Sequence, residues 1–498
     1  MDKNSPSQGL LLSRNFLILT SSSIALQVVG FIVTILIAKN LGPEEFGTYN
    51  LIFYLIGIFS VLGMFGLTQV IIREVARDPA KLSLYFSSST FIRIIFTLAS
   101  CLCLYLFLII FKRDIASPLF CLVMFCLLFQ ASIMDTQQSI FFGQQQMGIP
   151  SMISLVSRFS WVFLVLIFLY FHHLDVLSVI ITLIFSQCLN IMASHLFLKN
   201  NFRKSLFVSF NKKFLLRLIR DAWPFLILGI LSIFSGNFGK VLLSIFRGDR
   251  ELGFFSVADK LQLPLFLTAV ALANSLYPIL SKKYQQDISR FTDLSYRAFK
   301  YNVSIFLPCC FLIAFNSKEI VNLFFGGAYL ESCSTLSIFI FNAGFVASFF
   351  IIGTILAAMD QARAIMLLAL ASAVINSILF YIFAGLYGAL GLAVAYILGH
   401  IINISYHCYV LKRLLRKLPI WSMIFKPLAV SFLAVVPMFF KNMINFILLV
   451  PFCLILYLVL LVLLRVIDDY DKQIALAIIQ QKMPWLWKIK INSSSFKA

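Results

Sequence analysis

The sequence predicts an all-α polytopic membrane protein of about 14 transmembrane helices, arranged as two six-helix pseudo-repeat lobes followed by two C-terminal helices. Three observations predict it. Of the 498 residues, 61% are hydrophobic and 12% charged, where a soluble domain carries about 25% charged residues. Mean hydropathy is +0.96. The apolar residues fall into runs of about 20, the length a helix needs to cross the hydrocarbon core, rather than into the alternating segments of about ten residues that a membrane barrel shows. No stretch long enough for a separate soluble domain remains, which excludes a soluble enzyme with a single anchor.

The spans read as 14–38, 46–71, 85–111, 117–141, 149–171, 174–198 and 222–246. They continue as 254–280, 297–316, 334–358, 363–384, 387–411, 424–440 and 443–464. No small-residue cleavage site follows the first run, so it reads as a retained span rather than a signal peptide. Cytoplasmic loops collect Lys and Arg. With the N-terminus inside, 29 of the 40 Lys and Arg lie on the cytoplasmic side, seven lie on the other and four lie within spans. Both termini are therefore expected in the cytoplasm, and most of the net charge of +20 reports orientation rather than a nucleic-acid partner.

The two lobes come from an internal repeat. Gly42-Pro-Glu-Glu-Phe-Gly47-Thr-Tyr49 follows span 1, and Gly248-Asp-Arg-Glu-Leu-Gly253-Phe-Phe255 follows span 7, at an offset of 206 residues. The first glycine of each copy is expected to end a helix, and the second to sit in the tight turn into the next. A second echo joins Gly143-Gln-Gln-Gln-Met147 to Met359-Asp-Gln-Ala-Arg363. These echoes divide the chain into an N-terminal lobe (1–205, spans 1–6), a C-terminal lobe (206–411, spans 7–12) and an appendage (412–498, spans 13 and 14 with a cytoplasmic tail). Halves with an even number of spans that both start inside form a parallel repeat about the membrane normal, with a central cavity between them.

The four cations inside spans are Arg93, Arg158, Lys240 and Lys260, against two deep acids, Asp135 and Asp259. Ionisable residues at membrane depth are costly and mark functional sites. Arg93 shares a helical stripe with Ser89, Thr97 and Ser100, which is expected to face a wet interior. Arg158 sits with Ser151, Ser154 and Trp161, and Lys240 follows Gly229, Ser232 and Gly236 along one small, polar face. Neighbouring positions on a helix point apart, so Asp259 is placed to pair with Lys240 while Lys260 points elsewhere. A structural reading stands beside each assignment: Arg93 and Arg158 snorkelling to headgroups, and Lys240–Asp259 as a packing pair. The surplus of cations suits a phosphate or pyrophosphate ligand rather than a cationic drug. Arg93, Arg158, Lys240 and Lys260 are thus the candidate substrate-binding residues, with Asp135 and Asp259 as candidates for coupling to a proton or sodium gradient.

No P-loop, HExxH or GxSxG motif is present, so no catalytic residue, metal site or cofactor is assigned. The ten cysteines include no CxxC pair. Asp468, Asp469 and Asp471 read as a solvated acidic cluster, and Trp485-Leu-Trp487 with Lys482, Lys488 and Lys490 as an interfacial anchor.

Ser13-Arg-Asn-Phe16, the Ile37-to-Tyr49 turn and the stretch from Gly66-Leu67 through Arg73-Glu-Val-Ala-Arg77 resemble the Wzx-type O-antigen and polysaccharide flippases. These belong to the multidrug/oligosaccharidyl-lipid/polysaccharide exporter superfamily. Gly388-Ala-Leu-Gly391-Leu-Ala-Val-Ala395 resembles the second-half counterpart. The resemblance implies a V-shaped, multidrug-exporter-like (MATE-like) fold in the bacterial inner membrane. It implies translocation of undecaprenyl-pyrophosphate-linked oligosaccharide to the periplasmic leaflet, for O-antigen, lipopolysaccharide or a similar surface polysaccharide. Membrane lipids, a polysaccharide polymerase and a chain-length regulator are the implied partners, with no nucleic acid. The lipid tail is expected to stay in the bilayer, in a groove formed with spans 13 and 14. Wzx members are often described with 12 spans, and 14 resembles the lipid II flippases. A lipid II flippase, a multidrug exporter on the same fold and a non-transporting membrane scaffold are the alternatives.

Overall fold

Breaks in helices, more than the helices themselves, set the architecture of the computed structural model, which describes residues 5–171, 174–202, 212–415, 420–440, 446–464 and 466. The acidic cluster at 468–471 and the anchor around Trp485 lie outside the described residues. The chain runs through α1 (Ser5–Met64), α2 (Leu67–Arg77), α3 (Leu82–Phe111), α4 (Pro118–Gly143), α5 (Gly148–Tyr170) and α6 (Val176–Phe202). It continues through α7 (Lys212–Ser235), α8 (Phe238–Arg247), α9 (Asp249–Gln286), α10 (Ile288–Phe315), α11 (Ser317–Phe324), α12 (Ser332–Ala358) and α13 (Ala362–Leu414). The shorter α14 (Ile420–Val435) and α15 (Phe446–Leu463) follow. No strand occurs among the described residues.

Nine of these helices are long and apolar enough to cross a bilayer, and α7 with α8 makes a tenth, bent by 43°. Two of the nine, α1 and α13, hold a non-helical glycine, Gly42 (φ 75, ψ 174) and Gly388 (φ 61, ψ −141), that separates two predicted spans. With the short apolar helices Phe425–Phe439 and Leu449–Leu463, the set is compatible with 14 spans.

Three predicted boundaries change. Span 2 does not run to residue 71: Phe65 (φ 50) and Gly66 (φ 66) are both left-handed, and the helix ends at Met64. The cause is α7, which passes so close that a Cβ on Gly66 would lie 2.6 Å from the Leu226 backbone nitrogen. Beyond the break, α2 is amphipathic, burying Leu67, Val70, Ile71 and Val75 in a core shared with α3, α4 and α7. Its Glu74 carboxylate meets Arg73 at 2.9 Å, Arg77 at 3.3 Å and the Tyr85 hydroxyl at 3.3 Å. Span 7, predicted as continuous, breaks at Gly236-Asn237, so Lys240 belongs to α8 rather than to the stripe of Gly229 and Ser232. The basic connection after span 8 is helical, because Asp287 caps α10 directly after α9, its carboxylate accepting from the Ser289 and Arg290 amides. Lys300, counted with that connection, is 5% exposed within α10, between the rings of Tyr296 and Tyr301.

The chain divides into two compact units. One comprises Met1–Gln262, Ser317–Phe339 and Arg363–Asn403, and the other Leu263–Asn316, Ile340–Ala362 and Ile404–Ala498. In the first unit the two copies of the glycine repeat meet. Gly248 (φ 85, ψ 173) repeats the left-handed backbone of Gly42, so the first glycine of each copy ends a helix as expected. The second glycine serves a different purpose from the predicted turn. A Cβ on Gly47 would lie 1.7 Å from the Asp249 carbonyl oxygen, and one on Gly253 would lie 1.9 Å from the Pro43 carbonyl oxygen. The two helix starts therefore touch backbone to backbone, each glycine against the residue after the other copy's turn. Asp249 locks the contact, accepting from Thr48 Oγ1 at 2.9 Å, from Lys112 Nζ at 2.7 Å and from the Ser244 hydroxyl. Tyr329 donates to the Ala38 carbonyl at 2.7 Å and packs its ring on Phe46.

In the second unit α14 and α15 pack on α10, where Val435, Met438, Leu449 and Cys453 bury against Phe311, Leu312 and Phe315. The second sequence echo is a matched pair of Schellman caps. Gln145 (φ 58) and Asp360 (φ 56) are left-handed, followed by Gln146 N–H to Phe141 O at 2.9 Å and Gln361 N–H to Leu356 O at 3.1 Å. The equivalence is one residue out from the sequence alignment.

A Cβ within 2 Å of a carbonyl cannot be absorbed by a rotamer change, so Gly253→Ala should cost more than the ~1–3 kcal/mol usual for overpacking and lower the thermal aggregation midpoint in detergent sharply. Gly30→Ala, where nothing lies within 4 Å of the added carbon, should leave it unchanged. A second expectation concerns pH. Burial pushes the Glu74 carboxyl up, but hydrogen bonds and charge from Arg73, Tyr85 and Arg77 outweigh it and hold the group below its ordinary 4.5. A depressed carboxyl stabilises the fold above its ordinary value and ceases to do so as pH falls through its folded value. Tryptic cutting at Arg73 and Arg77, assayed after brief incubation at decreasing pH, should therefore rise only below about pH 4.5, and Glu74→Gln should show the raised cutting at pH 7.

Candidate substrate site

The intramembrane charges of the first unit form two ion pairs, each built from a different helix break. Arg93 on α3 is 1% exposed, and its guanidinium lies 2.5 Å from Asp135 on α4. It also donates to Thr136 Oγ1 at 2.7 Å, to Thr68 Oγ1 at 3.2 Å and to the Ser132 carbonyl at 3.3 Å. Thr68 in turn donates to Asp135 at 2.5 Å. It reaches both partners because the break at Phe65-Gly66 turns the first residues of α2 toward them. The residues read from the sequence as a ligand cation and a coupling acid are thus each other's partners. Their stripe does not face a wet interior, as Ser89, Thr97 and Ser100 are fully buried. Thr97 shares a 2.7 Å hydrogen bond with Ser132, and Ser100 donates to the Phe59 carbonyl at 2.6 Å. Between membrane helices such hydroxyls work as interhelical glue.

The second pair is the one anticipated from helix geometry. Lys240 Nζ on α8 lies 2.8 Å from Asp259 Oδ2 on α9. Tyr54, on the second span of α1, donates to the same oxygen at 3.0 Å, and its ring lies 4.6 Å from the Lys240 ammonium. Gln262 Nε2 lies 3.3 Å from Asp259 Oδ1. The break at Gly236-Asn237 is what brings α8 to this position, and Tyr396 of α13 braces it by donating to the Gly236 carbonyl. The side chains of this pair are 11% and 15% exposed, against 1% for Arg93 and 20% for Asp135.

Two cations stay outside these pairs. Lys260 is half-buried beside Asp259 and forms no ion pair among the described residues. Arg158 on α5 is half-buried, its guanidinium 5.1 Å from the Trp161 ring centre, and the buried Trp161 Nε1 has no acceptor. The surplus of two cations counted in the sequence therefore resolves to Lys260 and Arg158. Tyr54, Thr68 and Tyr396 were not anticipated. Tyr54 carried a usable signal, standing at the repeat position of Lys260, whereas Thr68 depends on a helix break that the apolar run conceals.

The family model for Polysaccharide biosynthesis protein matches residues 12–283, more than half of the chain. The chain belongs to that family. The chain is 25% identical over 394 residues to a Shigella flexneri protein described as an O-antigen transporter, covering 75% of this chain and 90% of that protein. Its fold is similar to that of lipid II flippase MurJ in an inward closed conformation, with a TM-score of 0.72 at 15% identity over 90% of this chain and 99% of that one. It is also similar to an inward-facing multidrug resistance MATE transporter of the MOP superfamily, with a TM-score of 0.64 at 14% identity over 79% and 96% of the two chains.

Lys240, Asp259 and Lys260 together form a partly exposed, net-positive cluster of charges. Among the described residues, no three His, Cys, Asp or Glu side chains group as metal ligands.

Removing one member of a buried pair leaves an uncompensated charge, costing about 3–5 kcal/mol, whereas replacing both by apolar residues is often neutral. Thermal unfolding in detergent should therefore show Arg93→Met well below wild type and Arg93→Met with Asp135→Leu largely restored. A double variant no better than the single would rule out the pair as the reason for these residues.

Proposed function

We propose that this protein is a flippase that moves undecaprenyl-pyrophosphate-linked oligosaccharide, an O-antigen or similar surface polysaccharide unit, from the cytoplasmic to the periplasmic leaflet by alternating access. The observation that carries the reading is the accessible cluster of Lys240, Asp259 and Lys260, with one cation in excess. A pyrophosphate headgroup loses its hydration on crossing the bilayer, and fixed cations offset that loss. In this reading Lys240, Lys260 and Arg158 attract the headgroup, and the Arg93–Asp135 pair braces the helices around it. Asp259 holds Lys240 until cargo arrives and is the residue through which a proton or sodium gradient couples to the cycle. The protein is a transporter, not an enzyme, with both termini in the cytoplasm of an inner-membrane arrangement, as the Lys and Arg distribution supports. A polymerase and a chain-length regulator receive its product.

Reconstitution into liposomes tests the reading, following leaflet transfer of the polyprenyl-linked oligosaccharide, of lipid II and of a cationic dye in parallel. Wild type should transfer the first, and Lys240→Ala and Lys260→Ala should each slow it about tenfold, the loss of one charge-assisted contact. Transfer of lipid II alone would move the cargo to peptidoglycan precursor, and transfer of the dye alone would make the protein a drug exporter. Wild-type rates in both lysine variants would remove the cluster from the mechanism.

A further inference from the structure

Between α5 and α6 lies an apolar groove of about 510 Å³. Its floor is deep, since Ile153, Ser157 and Asn190 are each at most 8% exposed. Its rim is open, with Met152 and Val156 more than two-thirds exposed. The polar atoms near the floor are already engaged. Ser157 donates to the Ser186 carbonyl at 2.7 Å, Ser186 donates back to the Ser157 carbonyl at 2.5 Å, and Asn190 faces Ser154 and Ser194. These bonds also seal the floor against passage between the two helices, so the groove opens only toward the rim, at membrane depth. Small side chains create the space, Ser160 on α5 and Ala193 on α6.

The position of the groove selects its occupant. Along α5 it extends from Ile149 to Ser160, about 16 Å at 1.5 Å per residue, close to one leaflet of a ~30 Å hydrocarbon core. It starts at the first turn of α5 and reaches Phe197 near the end of α6. That is the end carrying Lys199, on the Lys-rich side assigned to the cytoplasm. A volume of about 510 Å³ over that length is wider than a straight methylene chain fills, and an underfilled apolar wall forfeits dispersion contacts. A methyl-branched chain fills it better.

We infer that the α5–α6 groove, rather than the groove with spans 13 and 14 that the family resemblance implies, seats a segment of the isoprenoid chain of the lipid-linked cargo in the cytoplasmic leaflet, a tail site separate from the cationic headgroup site. The inference rests on the proposed cargo. The groove takes a few isoprene units of the chain, places them on the leaflet in which the cargo is made, and leaves the headgroup free to reach the cluster at Lys240.

Photolabelling in nanodiscs tests it, with undecaprenyl diphosphate carrying a diazirine in its chain and, in parallel, a phosphatidylglycerol carrying one in an acyl chain. The polyprenyl probe should form adducts on Met152, Val156 or Phe197 at about fivefold or more over the acyl probe. Ala193→Phe, which fills the groove, should abolish those adducts and slow leaflet transfer, while binding of a water-soluble sugar diphosphate, abolished by Lys240→Ala, stays at the wild-type level. Ser160→Leu gives a second filled groove should Ala193→Phe fail to fold. Equal labelling by the acyl probe would make the groove an ordinary lipid contact. Disulfide linkage of Met152→Cys between two copies, with no polyprenyl adduct, would make it a subunit interface. Either result overturns the tail site. Tail adducts together with undiminished transfer by Lys240→Ala would uphold the groove and remove the cationic cluster instead.

Discussion

The backbone contact between Gly47 and Gly253 is the constraint on which the first unit depends. Each glycine faces a carbonyl of the other copy's turn at a distance that no side chain allows. That contact fixes where the second span of α1 and the start of α9 begin, and both helices then run on for two turns before presenting Tyr54 and Asp259 to one another. Asp249 fastens the same point by gathering donors from α1, from the end of α3 and from α8. The site at Lys240 is thus held at one end by close packing and at the other by the break before α8.

Charge pairing is the second constraint, and it works within the first. A lone ionised group at membrane depth costs several kcal/mol or more, by about as much as a whole domain's margin of stability in the worst case. The structure meets this by placing each acid against a cation from another helix and adding hydroxyl donors to both. Arg93 is enclosed completely, while Asp135, Lys240 and Asp259 are each partly exposed.

Much of this was legible in the sequence. Helical class followed from hydropathy, with a span count that the structure is compatible with, and the glycine repeat located both left-handed turns because the same local chemistry is needed twice. Lys240 with Asp259 was legible because the residue pair lies on two spans of one lobe and the angular offset of Asp259 from Lys260 excludes a shared direction. Arg93 with Asp135 was not, since the pair needs three helices to meet and the serine stripe around Arg93 has the same periodicity whether it faces water or packs on α1 and α4. Helix breaks at Phe65-Gly66 and Gly236-Asn237 were hidden for a related reason. Apolar runs continue across them, and only the close approach of a neighbour, such as α7 at Gly66, forces the backbone out of the helix. The role of the second repeat glycine was misread as a turn because sequence shows conformational freedom and lack of bulk in the same letter.

The pairing of the deep charges has an evolutionary consequence. Arg93, Asp135, Lys240 and Asp259 are locked two by two, so a drift in any one of them passes through a buried orphan charge and is tolerated only when its partner changes with it. Lys260 and Arg158 carry no such debt. They are the positions at which a lineage can raise or lower the charge offered to its cargo by single substitutions, leaving the helix bundle that surrounds them unaltered.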